Sequence, residues 1–301
     1  MRCKPALLFV VMVAAVLAAA GSRVFSREYE PFFPREPFNP PEEAQWVEET
    51  LRPWLEKHPH WRREICYAVE NQPWYLQVVH SPNEGPFADD LEELETLPGL
   101  TRLEVRGHNV TAEGLKVLPR LASLTRIYLT PFNDALTPED LAVVGRMKGL
   151  RQLHLYMPFD NRGLSWLGEL ESLEYLTLNG PAIDDAGLAF IAECRQLRRL
   201  VLSGFRMEKI TGDGFKHLSK LPELQELDLT GLNGLTRDGI KQIAQLPHLR
   251  HIRFNQVRAL DDELVEILKQ MPEMWKVETE LCPGVKKDAA TILPLSFFLK
   301  P

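Results

Sequence analysis

From residue 100 onward the apolar positions fall in a three-then-two cadence that keeps restarting. The copies begin Leu100, Leu103, Val105; Leu124, Ile127, Leu129; Leu150, Leu153, Leu155; and Leu173, Leu176, Leu178. Three more follow: Leu197, Leu200, Leu202; Leu224, Leu227, Leu229; and Leu249, Ile252, Phe254. Successive copies start 24, 26, 23, 24, 27 and 25 residues apart. Within each copy apolar and polar residues alternate, the period-two signature of a short strand with one buried face. A degenerate copy, Trp74 to Val79 followed by Leu91, Leu94 and Leu97, precedes the series, and one with Met274 and Val277 closes it.

A second signature follows the strand in most copies. It reads Val110-Thr-Ala-Glu-Gly-Leu115, Leu136-Thr-Pro-Glu-Asp-Leu141, Ile183-Asp-Asp-Ala-Gly-Leu188, Ile210-Thr-Gly-Asp-Gly-Phe215, Leu235-Thr-Arg-Asp-Gly-Ile240 and Leu260-Asp-Asp-Glu-Leu264. The Thr or Asp after the apolar residue is suited to accept a backbone N–H at a helix start. The acidic residues just beyond it sit at the positive end of the helix dipole. Apolar residues then recur every three or four positions, as at Leu115, Leu118 and Leu121, so each unit predicts strand, turn, cap and helix. Such a unit cannot bury its apolar face alone, and stacking its neighbours closes one continuous core over residues 74–280.

Outside the repeats the pattern changes. Val47, Leu51, Trp54 and Leu55 form one helical stripe, and Trp61, Ile65 and Val69 form another, which predicts a helical N-terminal cap over residues 42–73. Residues 22–41 hold five prolines and read as an extended tether. Residues 1–21 begin with Arg2 and Lys4, continue as an uncharged run from Pro5 to Gly21 and contain Ala18-Ala19-Ala20. That is the pattern of a signal peptide, or of an uncleaved anchor holding the chain to a membrane through residues 5–21. Either outcome exports the rest: secreted, periplasmic or membrane-anchored. Residues 281–301 are expected to close the far end of the array, with Ala289 to Leu299 too short an apolar stretch to span a bilayer.

Composition narrows the function classes. A net charge of −7 and a pI near 5.7 oppose a general nucleic-acid binder. The four cysteines, at 3, 66, 194 and 282, have wide and unpatterned spacing and make no disulfide framework. Cys66 and Cys282 belong to opposite ends of the array, about 35–40 Å apart by strand spacing, far beyond disulfide reach. Histidines show no metal spacing, and no phosphate loop, nucleophile elbow or Cys-xx-Cys occurs. His154 and Asp228 are three strands apart, about 14 Å, too far for an acid–base pair. Neither enzyme chemistry, cofactor nor metal is expected. Asn109-Val-Thr111 is a glycosylation sequon whose local reading is a turn and a helix cap.

The Leu-xx-Leu-x-Leu strands with their Ile-Thr-Asp-x-Gly-Leu segments resemble the leucine-rich repeat family, of the ribonuclease-inhibitor-like and cysteine-containing types. Residues 191–202, Ile-Ala-Glu-Cys194-Arg-Gln-Leu197-Arg-Arg-Leu200-Val-Leu202, match the cysteine-containing version closely. The resemblance implies an α/β solenoid, a horseshoe with a parallel concave sheet and outer helices. One departure is the usual Asn or Cys after the strand, replaced here by His108, Phe132, Pro158, Pro181 and Phe205. The fold is a scaffold and does not itself name a function. On it, residues between the consensus leucines line the concave face, and Arg126, Tyr128, His154, Tyr156 and Tyr175 fall together on three adjacent strands. Tyr and Arg often carry protein-binding energy, so this patch is the candidate site for a protein partner. Two rival readings stand beside it: an F-box-like substrate adaptor for a ubiquitin ligase, and a structural envelope protein without a specific partner.

Overall fold

The computed structural model describes residues 45–58, 65–66, 76–79, 88–107, 110–131, 136–157, 160–180, 182–204, 207–286 and 291–292. All lie in one compact unit, Pro40–Pro301. Among the described residues, eleven strands form a single sheet whose spatial order is the sequence order, β1 to β11. They are β1 Ile65–Cys66, β2 Leu76–Val79, β3 Arg102–Gly107, β4 Arg126–Pro131, β5 Gln152–Tyr156 and β6 Tyr175–Asn179. Then come β7 Arg199–Ser203, β8 Glu226–Thr230, β9 His251–Asn255, β10 Lys276–Glu280 and β11 Thr291–Ile292. From β2 to β10 every neighbouring pair is parallel, while β1 and β11 add antiparallel to the two ends. The architecture is an α/β leucine-rich-repeat solenoid.

The cadence of the sequence is the cause. Register pairs Leu103 with Ile127, Ile127 with Leu153, Leu153 with Leu176 and Leu176 with Leu200, so each consensus position makes a column across the sheet. Leu103, Ile127, Leu129, Leu153, Leu155 and Leu178 are wholly enclosed. Fully burying a leucine contributes roughly 2–3 kcal/mol over leaving it exposed, and a slip of one residue would turn every one of them to water.

Opposite the sheet run short helical segments. Ala112–Leu115, Gly187–Ile191, Arg237–Ile243 and Asp262–Lys269 are α-helical. Pro138–Arg146, Asn161–Leu164, Leu167–Glu169 and Asp213–Lys220 take the tighter 3₁₀ form. Thr111, Thr236 and Asp261 cap their helices, accepting from Gly114, Gly239 and Leu264 N–H. Thr211 departs from this scheme. Its hydroxyl donates to Asp185 Oδ2 of the preceding unit at 2.5 Å, and Asp185 also accepts N–H bonds from Thr211, Gly212 and Gly214, each at 3.0 Å.

At the N-terminal end, Leu51, Trp54 and Leu55 of the stripe are buried on the repeat core. Trp54 donates to Thr96 Oγ1 (2.7 Å) and Trp46 to the Pro98 carbonyl (2.9 Å). The second expected helix is not found at Ile65. Ile65 and Cys66 instead pair antiparallel with Val78 and Gln77, since the open edge of β2 offers a row of unmatched backbone groups that a strand satisfies and a helix does not. Trp61 and Val69 lie outside the described residues, as do residues 1–44 with their targeting run and tether, and the turn positions His108, Phe132, Pro158, Pro181 and Phe205. At the same place in later units stand Leu232, Val257 and Cys282, all buried. Among the described residues no helix is long and apolar enough to cross a membrane.

Candidate binding surface on the sheet

Three rows of side chains cross the sheet face opposite the helices. The first runs Arg102, Arg126, Gln152, Tyr175, Arg199, Glu226, His251, Lys276, and the second Glu104, Tyr128, His154, Thr177, Val201, Asp228, Arg253, Glu278. Tyr156 belongs to the third row, in register with Asn179 and Ser203. Parallel pairing holds each row at about 4.8 Å per strand, so neighbours in a row are forced into contact range.

Arg126, Tyr128, His154, Tyr156 and Tyr175 therefore occupy β4, β5 and β6, three consecutive strands. Tyr128 and His154 are register partners, and their rings stack face to face, centroids 4.0 Å apart and planes 2° from parallel. Burial, then the Arg199 and Arg126 guanidiniums, holds the His154 imidazole down at a pKa of about 3, so it is neutral at physiological pH. Its Nε2 is buried and has no hydrogen-bond partner. Tyr175, half-buried, has its phenol pushed up by burial and by Glu226, against the opposing pull of Arg199 and Arg126. Arg126 and Arg199 thus act on the same two rings from opposite ends of the patch.

Beyond β7 the face changes character. Arg199 pairs with Glu226 at 3.4 Å, and Arg253 reaches Glu280 at 2.7 Å and Asp228 at 3.8 Å. Glu278 pairs with Lys276 and lies 3.5 Å from His251 Nε2. Glu226, Asp228 and His251 are nearly closed off from water, which breaks the strand alternation in β8 and β9. Burial pushes Asp228 up in spite of Arg253 and Arg199. Burial works the same way on Glu278, but hydrogen bonds from His251 and Lys276 outweigh it and bring its carboxyl down to about 2. This part of the face is a lattice of charges already matched to one another.

Sequence reasoning placed the aromatic patch and missed the lattice, together with the role of Arg199 at its border. The register of the rows held the signal: Arg199 follows Tyr175 in the first row, one strand on. His154 and Asp228 lie on β5 and β8, three strands apart, and share no hydrogen bond. Cys194 is buried, donates to the Leu167 carbonyl of the preceding unit (3.4 Å), and burial pushes its thiol up to about 12. Among the described residues no group of three or more His, Cys, Asp or Glu side chains is placed to hold a metal ion. A hollow lined by Gly149, Arg151, Glu171, Ser172, Glu174 and Gln196 is shallow; Arg151 and Glu174 pair with each other at 2.7 Å, and Glu171 pairs with Lys148 at 3.6 Å.

No protein-family model matches the chain, and no curated protein matches it. Among solved structures it is similar to TLR13 in a TLR13–ssRNA13 complex, with 22% identity and a TM-score of 0.48 over 72% of this chain and 29% of that one. It is also similar to an internalin of Listeria monocytogenes (19% identity, TM-score 0.42, 64% of this chain and 56% of that one). A third similarity is to the yeast Rad7 and Elc1 complex (17% identity, TM-score 0.32, 72% of this chain and 78% of that one). The chain thus spans under a third of the TLR13 chain and little more than half of the internalin.

Proposed function

We propose that this chain is a non-enzymatic binding protein, exported or held at a membrane by residues 5–21, that captures a protein partner on the helix-free face of its sheet. The observation that carries this reading is the aromatic cluster on β4–β6. A stacked Tyr128–His154 pair lies beside Tyr156 and Tyr175 and is flanked by Arg126. Rigid aromatic rings offer large contact area at little entropic cost, and Tyr and Arg dominate measured binding hot spots. The repeat type is ribonuclease-inhibitor-like with cysteine-containing units, supported by Cys194 bridging its thiol to the carbonyl of the unit before. The ubiquitin-ligase adaptor reading is not favoured: Leu51, Trp54 and Leu55 are buried on the repeat core, and Trp46 and Trp54 bond to Pro98 and Thr96 of the first units.

The test compares wild-type chain with a Tyr128→Ala/Tyr156→Ala variant in a crosslinking pull-down from the native source. The expected result is one recurrent protein whose recovery falls about tenfold or more in the variant, as loss of hot-spot tyrosines demands. Equal recovery by both chains would remove this patch as the binding site.

A further inference from the structure

We draw no further inference here: the strongest candidate, the stretch of helix-free face where the small side chains Thr177 and Val201 on β6 and β7 stand between the stacked Tyr128–His154 pair and the charge lattice that begins at Asp228, belongs to the binding face already described, and nothing in the structure shows what covers it.

Discussion

His154 carries a cost that nothing local in the sequence announces. Its neighbours Leu153 and Leu155 fix it on the helix-free face by simple alternation, and that much is legible from the chain. Its stacking on Tyr128 and its burial depend on which residue the next strand puts opposite, a matter of register across 26 residues. The folded protein keeps the imidazole neutral down to about pH 3, whereas the unfolded chain takes a proton near pH 6.5. Below about pH 6.5 the unfolded state therefore binds the extra proton and folding stability falls with pH. From pH 7 to pH 5 this single group should remove about 2 kcal/mol. His154→Phe keeps a flat ring for Tyr128 and has no proton to gain, so urea unfolding of this variant at the two pH values should show a stability drop smaller by that amount. An unchanged drop would mean that the imidazole stays hydrated in solution.

At the scale of the repeat unit, the Thr/Asp-x-x-Gly segment was legible as a helix start and not as a joint between units. Asp185 shows why. Burial pushes its carboxyl up, but bonds from the Thr211 hydroxyl and from the N–H groups of Gly214, Thr211 and Gly212 outweigh this and hold it below the ordinary carboxylate range. Those partners lie 26 to 29 residues ahead, so no reading within one unit finds them. The glycine of the segment has the same inter-unit origin. A Cβ on Gly214 would stand 2.3 Å from the Asp185 carbonyl oxygen, and one on Gly239 would stand 2.3 Å from that of Thr211. Gly212 adds a backbone reason, with φ at +114°. Asp185→Ala strands several part-buried donors and should cost about 2 kcal/mol in chemical unfolding, with Asp185→Asn recovering part because an amide oxygen still accepts. Gly214→Ala should be destabilising by about 2 kcal/mol or more. Because the Asp185 pKa is depressed, its contribution is complete above the unfolded value near 4 and fades as pH falls through the folded one. An Asp185→Ala variant as stable as the wild type would show that the bonds between units are replaced by water at no cost.

The whole molecule was legible because its order is one-dimensional. Each strand pairs only with the strands before and after it in sequence, so a repeating local pattern dictates the global arrangement. What the pattern did not give is how the array ends, since each end is unique and no period averages over it. The N-terminal end became a helix plus the antiparallel strand β1, and the C-terminal end gained β11. In a linear stack stability is close to a sum of unit terms and nearest-neighbour interfaces, and the ends are its weak points. Trp54 is the main tie at one end, 6% exposed, packed in the core and bonded to Thr96. Trp54→Ala should therefore cost about 3–5 kcal/mol locally. Hydrogen exchange will show where that cost is felt. Amides of Leu94, Leu103 and Val105 should lose protection by two or more orders of magnitude, since every 1.4 kcal/mol is a factor of ten, while amides in β7 to β9 change little. Equal loss of protection in every strand would instead make the stack a single cooperative unit, and the nearest-neighbour account would have to be given up.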